Sequence, residues 1–294
     1  MERSYFPYKA SKPAAVLFAV LYSVSVAAHV FQMIKLRAYF MSVLIVGLLV
    51  EVLGYVTRKL AIDDDPTLWS FSTSQVCILV APAFLAASAY MIVGRMMAYV
   101  GPGASVISHR LITKVFVIVD ILCLITQAAG IAMFVTNVDK ADRTVVLRGR
   151  NILMTGLALQ IISYLIFVVI TIIFDIRAQR MKGTQLKKLR PLFWASYSVA
   201  FLIIGRSIYR AIEFGTVDFK RRTQGYLYTH EWPFYVLDAV PILAAAVILN
   251  VIHPSSYLPS KKGLRMDGTI EVPARHWWSK SKSTKEHELE NATP

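Results

Sequence analysis

Two arginines and a glutamate stand in the stretch "GRSIYRAIEFG", Gly205 to Gly215, at the end of the apolar run "PLFWASYSVAFLII". Arg206, Arg210 and Glu213 are separated by four and then three residues. At roughly 100° per residue a helix therefore carries all three within about 60° of one face. The same four-then-three spacing recurs in Glu51, Tyr55 and Arg58, and again in Glu231, Tyr235 and Asp238. The chemistry of such sets is recognition of charge. A guanidinium grips a carboxylate or phosphate with two prongs, and a carboxylate holds an ammonium. Arg206 and Arg210 are expected to meet Glu51, Asp238 or Glu213 and to line a polar pocket opening outward, with Gln160 joining them. A structural ion-pair network that only fixes packing uses the same residues, and the sequence leaves both readings open.

The elements that must position these residues are read from hydropathy. Of 294 residues 56% are hydrophobic and only 17% charged, and the mean hydropathy is +0.53, too apolar for an ordinary soluble domain. Seven stretches approach the roughly 20 residues that cross a hydrocarbon core. They are residues 14–34, 39–57, 73–94, 115–135, 152–174, 192–213 and 232–252. The fold class expected is all-α: a polytopic membrane protein with seven transmembrane helices in one bundle, 14–252, between an extracellular N-terminus, 1–13, and a basic cytoplasmic tail, 253–294. The first apolar stretch lacks a small-residue cleavage site and is read as a retained helix. Pro82 and Pro241 fall inside spans and predict kinks.

Orientation follows from the positive-inside rule. Arg177, Arg180, Lys182, Lys187, Lys188 and Arg190 crowd the short fifth loop, which places that loop and the tail inside and the N-terminus outside. The acidic run "DDDP", Asp63 to Pro66, then falls outside. On this orientation the charged sets of the second, sixth and seventh helices all occupy the outer half of the bilayer. Intramembrane charges cost about 2.5–3.5 kcal/mol each on insertion scales, so they must face one another or water.

Helix four carries "DILCLITQAAG", with Asp120 toward the cytoplasmic end, close enough to the interface to hydrate or to pair with Lys114 or Arg110, and Gln127 near mid-membrane on the same face. Gln127 reads equally as interhelical glue or as a substrate contact. Other chemistries fit less well. The net charge of +14 is explained by basic loops and a tail, "RHWWSKSKSTK", facing anionic inner-leaflet lipid, and not by nucleic acid. Cys77 and Cys123 lie within spans as small buried hydrophobes. Of six histidines only His29 is well inside a span, which leaves no triad for a zinc hydrolase and makes His29 a packing residue or a haem ligand. There is no Gly-rich Lys-Ser/Thr motif for direct ATP drive. No cofactor is expected, no enzymatic activity, and no statement on oligomeric state.

The stretches "GRSIYRAIEFG" and "HEWPFYVLDAVPILAAAVILNVIHP", with "DILCLITQAAG" and "TGLALQ", resemble the fungal resistance-to-aminocholesterol-like family of seven-helix membrane proteins, also called lipid-translocating exporters. The resemblance spans all seven helices. It implies a plasma-membrane or endomembrane protein that exports sphingoid long-chain bases or related amphiphilic lipids and toxins, with membrane lipids and the amphiphile as partners. Glu51, Gln127, Gln160, Arg206, Arg210, Glu213, Glu231, Tyr235 and Asp238 are the residues that would bind it. Relatives linked to porphyrin uptake keep haem or porphyrin binding open, and a seven-helix lipid or stress receptor is the alternative of a different class. One departure is "QAAG" where a glycine-richer turn is expected, which puts close packing of helix four in doubt.

Overall fold

Long apolar runs can satisfy their backbone in lipid only by closing hydrogen bonds within each segment, so helices are the form this chain must take. The computed structural model describes residues 6, 8, 10–63, 67–101, 103–105, 107–137, 143–216, 226–259 and 266. Every regular element among them is helical. The long helices are α1 (Lys12–Leu36), α2 (Ser42–Ile62), α3 (Leu68–Val100), α4 (His109–Asn137), α5 (Arg143–Lys182) and α6 (Arg190–Gly215). A short α7 (Tyr226–Thr229) precedes a final helical stretch built from α8 (Trp232–Phe234), a π-turn (Tyr235–Ala239) and α9 (Val240–Val251). The acidic run after Asp63, most of the N-terminus and the tail sequence "RHWWSKSKSTK" lie outside the described residues.

Local chemistry sets the ends. Ser11 caps α1, its Oγ accepting from the Ala14 amide, and Pro13 follows where its missing N–H costs nothing. The helix stops at Arg37, which adopts left-handed φ 51°. Most helices run several residues past the apolar stretches, because polar residues at span ends continue the helix into the interface. Pro82 is accommodated inside an unbroken α3. Pro241 acts differently. It removes one amide and its ring crowds the carbonyl four residues back, and the turn before it widens so that the Val240 amide bonds to Tyr235 O.

Six stretches qualify by length and composition as membrane-crossing, and one of them, Leu147–Gly215, runs to 69 residues. That stretch contains most of α5 and all of α6, joined by a 3₁₀ segment (Gly183–Leu189). The two helices are antiparallel neighbours. Phe174 meets Phe193 at one end, with centroids 5.6 Å apart, and Met154 reaches Gly215 at the other.

The outward faces carry bare apolar side chains such as Val24, Phe31, Ile118, Ile125, Val169 and Phe201. The interior is mostly apolar as well, but it also holds buried charged side chains, Glu51, Arg58, Arg206, Arg210 and Asp238 among them. Aromatic rings of Phe18, Tyr22, Tyr55 and Tyr235 stack on one another between α1, α2 and the π-turn, at centroid distances of 5.1 to 6.5 Å. The α4–α5 contact is closer than "QAAG" suggested. A Cβ on Gly130 would stand 2.6 Å from the Leu153 amide nitrogen, and one on Gly156 would stand 2.8 Å from Gln127 Cγ, so these two glycines bring the helices together. Packing also continues past residue 252: Leu258 is buried and Arg95 donates to Pro259 O.

Candidate functional site

The four-then-three spacing on α6 does place Arg206, Arg210 and Glu213 on one buried face. They meet Asp238, turned into the bundle by the π-turn. Arg210 donates to both Asp238 oxygens, from Nε at 2.8 Å and Nη2 at 2.6 Å, and its Nη1 donates to Glu213 at 3.0 Å. Arg206 Nε lies 2.8 Å from Asp238 Oδ1 as an ion pair, and its Nη2 donates to Ile78 O of α3 at 2.8 Å. Tyr209 donates to the second Glu213 oxygen at 3.2 Å. All four charged groups are at most 8% exposed. Two cations thus face two anions in a site closed to bulk water, the condition under which buried charge is tolerated.

A second cluster lies at the end of the bundle where α1 begins and α2 ends. Arg58 is fully buried. Its Nη2 donates to Glu231 at 3.2 Å and to Tyr8 Oη at 2.9 Å, and its Nε reaches Tyr235 Oη at 3.4 Å. Its guanidinium carbon stands over the rings of Phe6 at 4.7 Å and Phe234 at 4.2 Å. Glu231 Oε2 accepts from the Ser11 amide and so ties the start of α1 into the same cluster. Phe234 joins the clusters, because its ring is also 5.4 Å from the Arg210 guanidinium carbon.

The remaining predicted residues go elsewhere. Gln127 donates to Gln160 Oε1 at 2.8 Å, a bond between α4 and α5, and among the described residues no hydrogen bond or ion pair links either to the arginines. Glu51 is buried within electrostatic reach of Arg206 and Arg210 but is paired with neither; of the three acids expected as alternatives, the arginines meet Asp238 and Glu213. Asp120 corrects an expectation. It is neither hydrated at the interface nor paired with Lys114, but buried and accepting from Tyr90 Oη at 2.8 Å, because its face of α4 turns toward α3. The side chain of Arg110 lies outside the described residues. His29 is fully buried with Nε2 3.1 Å from Ala246 O, tying α1 to α9. Among the described residues no three His, Cys, Asp or Glu side chains gather as a metal site.

Sequence reasoning missed Phe6, Tyr8 and Phe234, and gave Arg58 no role beyond its place in a spaced set. Aromatic residues in an apolar chain carry no signal that they sit on a cation. It also missed a groove of about 450 Å³ between α1 and α2. Val16, Val20, Val24 and Val56 wall it, Lys59 stands at its edge, and the buried Tyr55 forms its floor. None of the nine residues proposed from sequence lines it.

Comparison with known proteins gives a consistent picture. The sequence model described as RTA1 like protein matches residues 44–261. The chain is 30% identical over 263 residues to a protein of Emericella nidulans named "Probable lipid transporter atnI", covering 85% of this chain and 67% of that one. It is 23% identical over 270 residues to the sphingoid long-chain base transporter RSB1 of Saccharomyces cerevisiae, covering 81% and 70%. It is 30% identical over 218 residues to protoporphyrin uptake protein 1 of the same yeast, covering 70% of this chain and 65% of the relative. No solved structure matches the chain significantly.

Proposed function

The chain belongs to the RTA1-like family, and on that premise we propose that it is a multi-pass membrane transporter that exports sphingoid long-chain bases or related cationic amphiphiles. The observation that carries this reading is that relatives aligned over more than four-fifths of the chain are named for lipid and sphingoid-base transport. Two features of the bundle support it. The α1–α2 groove of about 450 Å³ offers an alkyl chain an apolar surface, walled by valines exposed on the outside of the bundle. Its floor, Tyr55, is one helical turn from Glu51, and the Arg206–Asp238–Arg210–Glu213 network lies within electrostatic reach. An alkyl chain held in the groove would bring a polar head toward those charges.

The same proposal includes seven crossings, with α5 and α6 each counted as one. Their antiparallel contact along about 20 residues, roughly 30 Å at 1.5 Å per residue, matches a hydrocarbon core traversed twice. The N-terminus is proposed outside, the basic fifth loop and tail inside against anionic lipid, and the protein in the plasma membrane. An oligomeric state is not part of the proposal.

The test reconstitutes the purified chain in vesicles and follows a fluorescent sphingoid base across the bilayer. Movement faster than in empty vesicles is the expected result. Binding without movement would instead support a receptor.

A further inference from the structure

Counting charge across the buried clusters isolates one acid. Arg206 and Arg210 face Asp238 and Glu213, and Arg58 faces Glu231, so each cluster is neutral by itself. Glu51 has no such counterpart. It is 2% exposed, its Oε2 has no hydrogen-bond partner, and no cation lies within ion-pair distance of it among the described residues. The titratable groups that face it are Tyr22 from α1, Tyr55 from its own helix, Cys77 from α3, Arg206 and Arg210 from α6, and Asp238 from the π-turn. Arg206 already serves Asp238, and Arg210 serves both Asp238 and Glu213. Tyr55 Oη is itself buried without a partner. A carboxylate so enclosed is costly as an anion.

We propose that Glu51 holds a proton in the resting bundle and exchanges it for the ammonium group of a cationic amphiphile. This rests on the transport reading above and adds a coupling ion to it. The balance is one for one. The lipid ammonium brings one positive charge, the O–H bond of the Glu51 carboxyl breaks with its electron pair left on oxygen, and the proton leaves to water. The buried clusters carry the same net charge before and after. An ammonium entering without proton release would add an uncompensated charge beside two arginines, so release is obligatory. The free Tyr55 hydroxyl supplies a second acceptor for the arriving N–H groups.

The experiment uses the full chain in detergent, weakly buffered below neutral pH where the amine is cationic. Sphingosine is the probe and N-acetylsphingosine, which has no cation, the control. The wild type should release about one proton per sphingosine bound and none with the control, by proton linkage. Glu51→Gln, which keeps the shape, should abolish release and weaken sphingosine binding at least tenfold while melting at the wild-type temperature. If that variant does not fold, the infrared band of protonated carboxyl groups in the wild type decides. It should lose intensity when sphingosine binds. Sphingosine binding without proton release, equal release from Glu51→Gln, an unchanged carboxyl band, or no sphingosine binding at all would each overturn the proposal. Vesicle transport separates this from the reading beneath it. Proton release without transbilayer movement supports the exchange site and removes transport, whereas movement without release removes the exchange site and leaves transport standing.

Discussion

Arg58 and Arg210 are both buried guanidiniums near the same end of the bundle, yet they are held by different means. Arg210 is gripped by charge: both oxygens of Asp238 and one of Glu213 accept its N–H groups within 3.0 Å. Arg58 meets a single carboxylate at 3.2 Å and owes the rest of its environment to two tyrosine hydroxyls and the faces of Phe6 and Phe234. The first arrangement is specified by residues whose spacing on α6 and the π-turn can be read directly. The second depends on Phe6 and Tyr8, which precede α1 and contact Arg58 of α2. A charged network locks the helices together, whereas a cation among aromatic rings and hydroxyls ties residues before α1 to α2.

The largest break in this comparison is Asp238→Asn. It removes the one acid shared by two arginines and leaves Arg206 with a backbone carbonyl alone, so thermal unfolding in detergent should show a loss of about 3–5 kcal/mol. A loss under 1 kcal/mol would mean that water or lipid already serves the arginines. Phe234→Leu comes next, at about 1–2 kcal/mol, because both guanidiniums lose the same ring. Combined with Asp238→Asn the effects should be non-additive, since the ring and the acid share Arg210. Strict additivity would show that the two clusters are independent.

Tyr8→Phe removes one charge-assisted hydrogen bond from Arg58, at about 1 kcal/mol, and should make the segment before α1 more sensitive to protease while the bundle stays resistant. Equal protection in variant and wild type would show that the segment is held by Phe6 and Glu231 without it. The smallest effect belongs to the exposed end of α2. Hydrogen bonding from Lys59, and then from Lys12, holds the Asp63 carboxyl below its ordinary range. A depressed value contributes stability above the unfolded-state pKa that is lost as pH falls through the folded one. Lys59→Met should therefore lower the melting temperature slightly at neutral pH and leave it unchanged once Asp63 is protonated, flattening the acid limb of the stability profile. An unchanged acid limb would show that the pair contributes nothing there.

Much of the bundle was legible from hydropathy, because lipid permits so few backbone solutions. The network on α6 was legible from spacing: Arg206, Arg210 and Glu213 share a face on any regular helix. What spacing could not supply was the register after Trp232. A regular helix puts Glu231, Tyr235 and Asp238 in one row, but the π-turn before Pro241 leaves Glu231 and Tyr235 with Arg58 and sends Asp238 to Arg206 and Arg210. Glu51 fell into the same expected set and lies beside the network unpaired, because the two arginines are saturated by acids nearer to them. Asp120 looked interfacial by position along its helix, yet its partner Tyr90 lies on another helix, and such pairings are set by packing alone.

The central claim is that the chain moves sphingoid bases across the bilayer, and that the charges of the α6 network serve this movement beyond clamping helices. Arg210→Lys tests it most directly, since lysine keeps the charge and loses the two-pronged fit. The measurement is transbilayer movement of a fluorescent sphingoid base in vesicles holding equal amounts of folded wild-type or variant protein, with melting temperature recorded for both. The account predicts that movement per folded molecule falls by at least about tenfold, a change of roughly 1.4 kcal/mol, alongside the lower melting temperature that follows from losing the two-pronged bond to Asp238. Wild-type movement per folded molecule from the variant would contradict it, and would assign Arg210 to packing alone.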